Sequence, residues 1–210
     1  MDIIVESVKK IQGLSEHAGC ADAGVVLDVN PDATICQFEQ GAPMSATFGG
    51  RSAVFTTFDP IRAPTKIAFM FGAPLDSAAV RGAAVAIINV ILGFLCMSRV
   101  LHPCPESSHA ACKNEIQPEL AGKNLYCIGS MGKTGPSAFG HVTQDISAAD
   151  IIIINGEGLI GKETGDIIEA NRQRCRIICI GPSTAGIARL YELEHWCPYG
   201  GSCQSGSRGS

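Results

Sequence analysis

The chain has 210 residues, a formal net charge of −4 at pH 7 and 46% hydrophobic residues. This length allows one domain or two small ones, and the apolar fraction is ample for a packed core. The 16 Lys and Arg residues are scattered along the chain. Because phosphate binding needs a concentrated basic surface, the composition argues against nucleic acid as a partner.

The sequence also argues against secretion and membrane insertion. Residues 1–13 interleave acids and lysines with apolar residues, so they lack the continuous apolar stretch of a signal peptide. The most apolar segment, residues 83–97, is shorter than the ~20 residues that a bilayer requires, and it contains Asn89. We therefore expect a cytoplasmic protein with no membrane partner.

The chain contains 10 cysteines, which is a high number for its length. Without a secretory signal, a framework of disulfides is not expected. Buried free thiols, a metal site and a redox site remain as alternatives. Four cysteines lie inside apolar runs, where a thiol acts as a small hydrophobe, and these are Cys96, Cys127, Cys175 and Cys179.

The first hundred residues have the mixed pattern of a small α+β domain. Ile4, Val8 and Ile11 lie at helical spacing, and residues 30–32 are a turn signal between two strand-like runs that we predict to form a hairpin. In chain order, the predicted elements are a helix over 3–14, strands over 24–28, 34–38, 52–58 and 66–71, and a helix over 76–97.

One polar residue lies on the small-residue face of the last of these helices. Gly82, Ala86, Asn89 and Gly93 are spaced four, three and four residues apart, so they share a face that another element can approach closely. A buried Asn89 needs hydrogen-bond partners. We favour a structural role, in which Asn89 holds a neighbouring loop, over a contact with a ligand.

The segment over 101–118 marks a domain boundary, because its three prolines forbid one continuous helix. The predicted organisation is an α+β domain over 1–100, a linker loop over 101–120, a Rossmann-like domain over 121–200 and a disordered tail over 201–210. Within the tail, the last six residues look like an artificial extension.

Two short apolar runs, over 150–158 and 175–184, both end in loops that contain glycine. Their isoleucines favour strands, and the absence of polar alternation indicates parallel strands that are buried on both faces. A helix-like segment over 163–171 separates them, which gives a βαβ unit. The sequence therefore predicts an α/β fold, with a Rossmann-like parallel sheet domain preceded by a smaller α+β domain.

Ligands of such sheets bind beyond the carboxyl ends of the strands, where exposed N–H groups can hold an anion. Ordinary helix caps and simple glycine turns are the alternatives. The glycine spacing matches neither the G-x-G-x-x-G fingerprint nor the P-loop, so a nucleotide is the less favoured ligand. Glu157 is a candidate general base, metal ligand or ribose contact, or else a solvated loop acid. The predicted cofactor-binding residues are Gly129, Gly132, Asn155, Gly156, Glu157, Gly181, Ser183 and Thr184.

Parts of the chain resemble a known family. Residues 149–159 and the Ile-Gly-Pro-Ser-Thr run over 180–184 are similar to the Rossmann-like domain of a family proposed to chelate heavy metals. Residues 79–89 are similar to the companion amino-terminal domain of that family, which resembles the enolase amino-terminal fold. The resemblance implies two domains with a ligand site in the cleft between them. This sequence departs from the family in the short segment over 132–150 and in the His and Cys of residues 194–200.

A His-x-Cys-Pro pattern occurs twice, over 102–105 and over 195–198. In an extended chain, both side chains of His-x-Cys point to one face, and imidazole and thiolate are ligands for zinc, copper, iron or nickel. The spacing matches no standard zinc finger or Fe–S run. A buried His, unpaired surface thiols and a redox pair of Cys104 with Cys112 are the alternatives. The candidate metal ligands are His102, Cys104, His109, Cys112, His195 and Cys197.

Three functions are compatible with these patterns. The first is a protein that binds a transition or heavy metal ion, or a metal-containing cofactor, between its two domains. The second is an enzyme that binds a nucleotide or another anionic cofactor in the glycine loops, with Glu157 or His141 in acid–base catalysis. The third is a non-catalytic subunit or scaffold whose cysteines belong to the core. The apolar helix over 83–97 would in addition suit a homodimer.

Overall fold

The computed structural model describes residues 1–132 and 135–201. It has a mixed α/β fold with one antiparallel and one parallel β-sheet, which confirms the predicted fold class. Of the predicted tail, residues 202–210 lie outside the described part of the chain. Within the described ranges, no helix is long and apolar enough to cross a membrane.

The first sheet is antiparallel and has four strands in the order β3-β2-β1-β4. One of its faces packs on a core, because Val25 and Leu27 of the first strand are buried while Val26 between them is half exposed. Its strands are β1 (Gly24–Val29), β2 (Ala42–Phe48), β3 (Arg51–Thr57) and β4 (Ala63–Lys66), and the accompanying helices are α1 (Ile3–His17), α2 (Ile67–Gly72) and α3 (Ala78–Phe94).

The second sheet is parallel throughout and has five strands in the order β6-β5-β7-β8-β9. Its strands are β5 (Asn124–Ile128), β6 (His141–Val142), β7 (Ile151–Ile154), β8 (Arg176–Ile180) and β9 (Glu194–Trp196). The helices of this half are α4 (His109–Leu120), α5 (Gly156–Leu159), α6 (Thr164–Asn171) and α7 (Ala185–Leu190), with single 3₁₀ turns at Glu106–Ser108, Pro136–Ala138, Ile146–Ala148 and Pro182–Thr184.

The central helix of the molecule is α3. Every residue from Arg81 to Gly93 is buried, because α3 contacts β2 and β3 as well as α1 and α7. The chain itself therefore covers residues 83–93 of the apolar segment, and the homodimer stays a prediction. At the end of this segment, Phe94 and Met97 remain exposed, at 39% and 36%.

Asn89 has the structural role that its position on α3 predicts. Its Nδ2 donates a hydrogen bond to the carbonyl oxygen of Ser183 at 3.0 Å, and its Oδ1 accepts one from the N–H of Gly186 at 2.9 Å. Both ends of this buried side chain are therefore satisfied within the chain. Asn89 thus attaches α3 to the start of α7.

Two predicted elements of the first half are wrong. Residues 34–38 form no strand, and β1 pairs instead with β2, which begins at Ala42. Cys36 and Phe38 are buried in a cluster with side chains of the parallel sheet, so this segment packs across to the other sheet. The run over 66–71 is mostly helix α2, because Ile67 and Met70 are buried on one side of a helical turn.

The expected linker loop over 101–120 contains helix α4. Two of the three prolines precede this helix, and only Pro118 lies inside it, in its last turn. Ile116 and Leu120 of α4 are buried against the parallel sheet.

The domain limits remain a prediction. The segment over 132–150 is short for a full helix and strand, as expected, since its described residues contain only β6 and two single turns.

A buried arginine joins the amino terminus, α3 and the loop after α5. Arg81 is 2% exposed. Its guanidinium donates to the Asp2 carboxylate at 2.6 and 2.9 Å and to the carbonyl oxygen of Ile160 at 2.5 Å. It also donates to the carbonyl oxygens of Leu75 at 3.1 Å and Gly161 at 3.4 Å. A buried charge requires this complete set of partners, so Arg81 fixes the relative positions of these segments.

We expect Arg81→Met to lower the free energy of unfolding by roughly 3–5 kcal/mol, because it leaves Asp2 and three carbonyl groups without their donor. The matched control is Arg62→Met, since Arg62 and its partner Asp28 are 64% and 67% exposed. The control should cost less than about 1 kcal/mol. Urea unfolding followed by circular dichroism measures both values. Equal costs for the two variants would show that the Arg81 network adds no particular stability.

Candidate functional site at the junction of the two sheets

The segment over 36–40 of the first half lies across the carboxyl ends of the parallel strands. Asn155, which follows β7, donates from Nδ2 to the carbonyl oxygens of Phe38 at 3.2 Å and Ser130 at 2.7 Å. The strand order changes direction between β5 and β7, and this is the place where open α/β sheets bind ligands. In this protein, the backbone of Phe38 occupies that place.

The carboxyl group of Glu39 lies on the turn after β8. The N–H of Ser183 donates to Glu39 Oε1 at 3.3 Å. Gly181 has a φ of +87°, and a Cβ at this position would lie 2.6 Å from the same oxygen. Glycine is therefore required here both for its backbone conformation and for the close approach of the carboxyl group. The turn that the sequence predicts to hold an anionic group holds a carboxyl group of the chain itself.

Glu39 is the residue of the site that the sequence reasoning missed. It is 3% exposed. Burial raises the pKa of Glu39 to about 7, and hydrogen bonding to Ser183 offsets this only in part. A carboxyl group with this pKa can donate or accept a proton at neutral pH. No sequence signal identifies it, because Glu39 stands in an irregular run with no motif.

Of the other predicted cofactor-binding residues, Ser183 and Glu157 contact the first half of the chain, and Thr184 contacts its own turn. Ser183 Oγ accepts a hydrogen bond from the N–H of Thr56 at 2.9 Å, and Glu157 Oε1 accepts one from the N–H of Phe58 at 3.0 Å. Thr184 Oγ1 donates to the carbonyl oxygen of Gly181 at 3.0 Å. These side chains therefore make internal contacts, and their role in binding a cofactor stays a prediction.

The remaining glycines allow close packing at the same junction. A Cβ on Gly129 would clash with Asn155, and one on Gly132 would clash with the backbone of Gln37. Gly156 lies against Ser183, since a Cβ on it would be 2.6 Å from the Ser183 Cβ. Between Gly132 and residue 135, the loop lies outside the described part of the chain.

A cavity of about 560 Å³ adjoins Glu39, between the irregular loop after β1 and the start of α4. Two buried polar atoms of its lining residues, Glu39 Oε2 and His109 Nε2, have no hydrogen-bond partner among the described residues. We name it the acidic cavity, after the residues Asp32, Glu39 and Glu106 in its wall, where Cys36 and His109 also lie.

The end of the described chain folds back onto the segment before α4. The carbonyl oxygen of Gly201 accepts hydrogen bonds from the N–H groups of Leu101 at 2.9 Å and His102 at 3.0 Å, and the N–H of Gly201 donates to the carbonyl oxygen of His102 at 3.1 Å. This return brings the second His-x-Cys-Pro segment next to the first. The sequence alone left open whether the two segments meet.

Four thiols are gathered there, on Cys36, Cys104, Cys112 and Cys197. Burial raises the pKa of each of these thiols, and the charges of neighbouring thiolates raise several of them further. The Cys197 thiol interacts in this way with those of Cys104 and Cys112, and the Cys36 thiol with those of Cys104 and Cys197. Three of these four were predicted as metal ligands, whereas Cys36 was not.

The three predicted histidine ligands have different surroundings. His102 Nε2 lies 3.2 Å from Ser52 Oγ, and His195 Nε2 donates to the carbonyl oxygen of Gly181 at 2.9 Å. Burial lowers the pKa of both imidazoles, so they are neutral at pH 7. His109 alone of the three borders the acidic cavity. Among the described residues, no three His, Cys, Asp or Glu side chains are placed to hold one metal ion.

We expect the stability of the chain to depend on the protonation of Glu39. Between the ordinary pKa of 4.5 and the folded-state pKa of about 7, the folded chain keeps a proton that the unfolded chain has lost. The free energy of unfolding therefore falls by about 3 kcal/mol as the pH rises through this interval, and Glu39→Gln removes this loss. Urea unfolding at pH 5 and pH 8 measures the difference between wild type and variant. The control is Glu163→Gln, at an exposed position. If the free energies of unfolding of wild type and Glu39→Gln differ by the same amount at pH 5 and pH 8, the expectation is contradicted.

Comparison with known proteins assigns no activity to this chain. No family model matches the sequence. No curated protein matches it either. A protein of unknown function of the DUF364 family from Pyrococcus horikoshii is 13% identical, with a TM-score of 0.48 over 86% of this chain and 79% of that chain. A second DUF364 protein of unknown function, from Desulfitobacterium hafniense, is 15% identical, with a TM-score of 0.45 over 86% of this chain and 83% of that chain. The resemblance to heavy-metal chelating proteins stays a prediction.

Proposed function

We propose that this chain binds a thiophilic metal ion, or a small cofactor that contains one, at the junction of its two halves. The proposal is supported by one observation, the return of the segment ending at Gly201 onto His102, which brings the Cys197 thiol within electrostatic range of those of Cys36, Cys104 and Cys112. Thiolates are the protein ligands that soft metal ions prefer. The nearby carboxyl group of Glu39 contributes negative charge to the same region when it is ionised.

Binding would require the thiols to rearrange and lose their protons. Since no three donors are placed around one point in the described residues, the side chains must rotate toward a common centre. The raised pKa values of the thiols mean that they are protonated at pH 7. Metal binding should therefore release protons and become tighter as the pH rises.

We expect protein prepared without oxygen to bind Cd²⁺ or Cu⁺ stoichiometrically, and Cys36→Ser with Cys197→Ser to weaken binding by at least about tenfold, or ~1.4 kcal/mol. Elemental analysis, the absorption of metal–thiolate bonds and the fluorescence of the single tryptophan, Trp196, report binding. Trp196 is a suitable reporter because it packs against the buried cluster that contains Cys36 and Cys112.

Cys175→Ser is the matched control, because Cys175 is a half-buried free cysteine that packs in the other core cluster. This variant should bind metal as the wild type does. Equal binding by the double variant would exclude Cys36 and Cys197 as ligands and contradict the proposal. If neither the wild type nor any variant binds metal, the proposal is wrong. The thiols would then be part of the core, as in a non-catalytic subunit or scaffold.

An enzyme that uses Glu39 as a general acid or base is the second candidate. The observation in its favour is the pKa of about 7 of the buried carboxyl group of Glu39, a residue that also lines a cavity. Glu157, the general base considered from the sequence, is less suited, because its carboxylate already accepts a hydrogen bond from Phe58.

The second candidate, as the sequence predicts it, binds a nucleotide or another anionic cofactor in the glycine loops. Adding nucleotides to the protein tests this prediction. A nucleotide at ~100 times its dissociation constant would stabilise the folded chain by roughly 2.7 kcal/mol. We expect no such stabilisation, because Phe38 and Glu39 lie where the nucleotide would bind. Thermal unfolding with and without ATP, NAD⁺ and FMN measures the effect. A rise in melting temperature with one of them would show that the segment over 36–40 can be displaced.

A further inference from the structure

A short segment without regular secondary structure follows the last strand of the parallel sheet. We name it the strap, residues 197–201. Its backbone is attached to another segment at Gly201, which forms an isolated bridge with His102. The N–H of Gly200 donates to the carbonyl oxygen of Cys197 at 3.2 Å, so the middle of the strap is a tight turn. The strap is therefore held by few backbone hydrogen bonds, whereas β9 before it is fixed by pairing with β8.

A tyrosine side chain supplies the second attachment of the strap. Tyr199 Oη donates a hydrogen bond to the carboxylate of Glu115 on α4. Tyr199 also packs against the buried cluster that contains Cys36 and Cys112. Because Glu115 is exposed, water competes for this hydrogen bond, and its net contribution to holding the strap is modest.

The thiols next to the strap are closed off from solvent. Cys36, Cys104 and Cys112 are each 5% exposed. Cys197, in the strap itself, is half buried. Gly200 lies against the Cys197 thiol, since a Cβ on Gly200 would be 2.6 Å from the Cys197 Sγ. A metal ion or a reagent in solution therefore reaches the buried thiols only after part of the covering chain has moved.

We propose that the strap is a lid over the thiols, and that its opening controls their access to solvent and so to a soft metal ion. Opening breaks the bridge between Gly201 and His102 and the hydrogen bond between Tyr199 and Glu115, while β9 stays in the sheet. Local openings of this kind need much less free energy than global unfolding. The function of this lid rests on the proposed binding of metal by the thiols, to which it adds the step that admits the metal.

Alkylation of the thiols by iodoacetamide in the presence of a chelator, followed by mass spectrometry of peptides, measures opening of the strap without metal. We expect Tyr199→Phe to raise the alkylation rates of Cys36 and Cys112 about fivefold, because it removes one hydrogen bond that holds the strap closed. The matched control is Tyr126→Phe, at a half-buried tyrosine outside the strap, which should leave these rates unchanged. Cys179 is fully buried in the other core cluster, so its rate reports global unfolding and should stay constant.

Further variants test each attachment of the strap. Glu115→Ala should raise the same rates about as much as Tyr199→Phe does, and the double variant should raise them no further, because both changes remove the same hydrogen bond. Gly200→Ala should raise the rates independently, since its added Cβ would collide with the Cys197 sulfur and push the strap outward.

Unchanged alkylation rates in both Tyr199→Phe and Gly200→Ala would overturn the proposal. So would rates that rise equally at Cys179, since the variants would then act by destabilising the whole fold. The metal proposal is tested separately, because alkylation is measured in the presence of a chelator. Faster alkylation of a protein that binds no Cd²⁺ would support the lid and refute the metal site, whereas Cd²⁺ binding with unchanged alkylation would refute the lid alone.

Discussion

The burial of one carboxyl group at the junction of the two sheets is the constraint on which the candidate site depends. To place Glu39 there, the chain leaves β1 and forms an irregular segment that inserts Phe38 and Glu39 over the ends of β7 and β8. The N–H of Ser183 and the raised pKa of Glu39 together reduce the cost of removing the carboxyl group from water. Burying a carboxyl group remains costly even with a hydrogen bond, so a buried acid at this position is a candidate for function.

The same junction explains why the two halves do not form an open cleft. Residues of both sheets belong to one continuous hydrophobic cluster, with Val25 and Leu27 on one side and Ile152 and Ile154 on the other. Arg81 joins the halves through buried hydrogen bonds, and α3 is covered by both. The acidic cavity beside the inserted segment is one space available to a ligand, and a second pocket, of about 470 Å³, lies beside Gly129 and Glu157.

Thiols and carboxyl groups lie on the two sides of the inserted segment, residues 36–40. The thiols of Cys104, Cys112 and Cys197 lie toward the returning end of the chain, and the carboxyl groups of Asp32 and Glu106 lie in the wall of the cavity. Cys36 and Glu39 belong to the segment between them. This one segment therefore supplies a residue to each group.

Local patterns in the sequence were sufficient for the parallel sheet, the central helix and the role of Asn89. An unbroken isoleucine run such as residues 151–154 is typical of a parallel strand that is buried on both faces. A buried asparagine on a helix face of small residues needs hydrogen-bond partners. The candidate site was different, because it is made by contacts between residues far apart in the chain. Glu39 contacts Ser183 where the two sheets pack together, and Gly201 contacts His102 because β9 pairs with β8. No pattern of neighbours in the sequence encodes those distances, so the buried carboxyl group and the gathering of the thiols were decided by the tertiary structure.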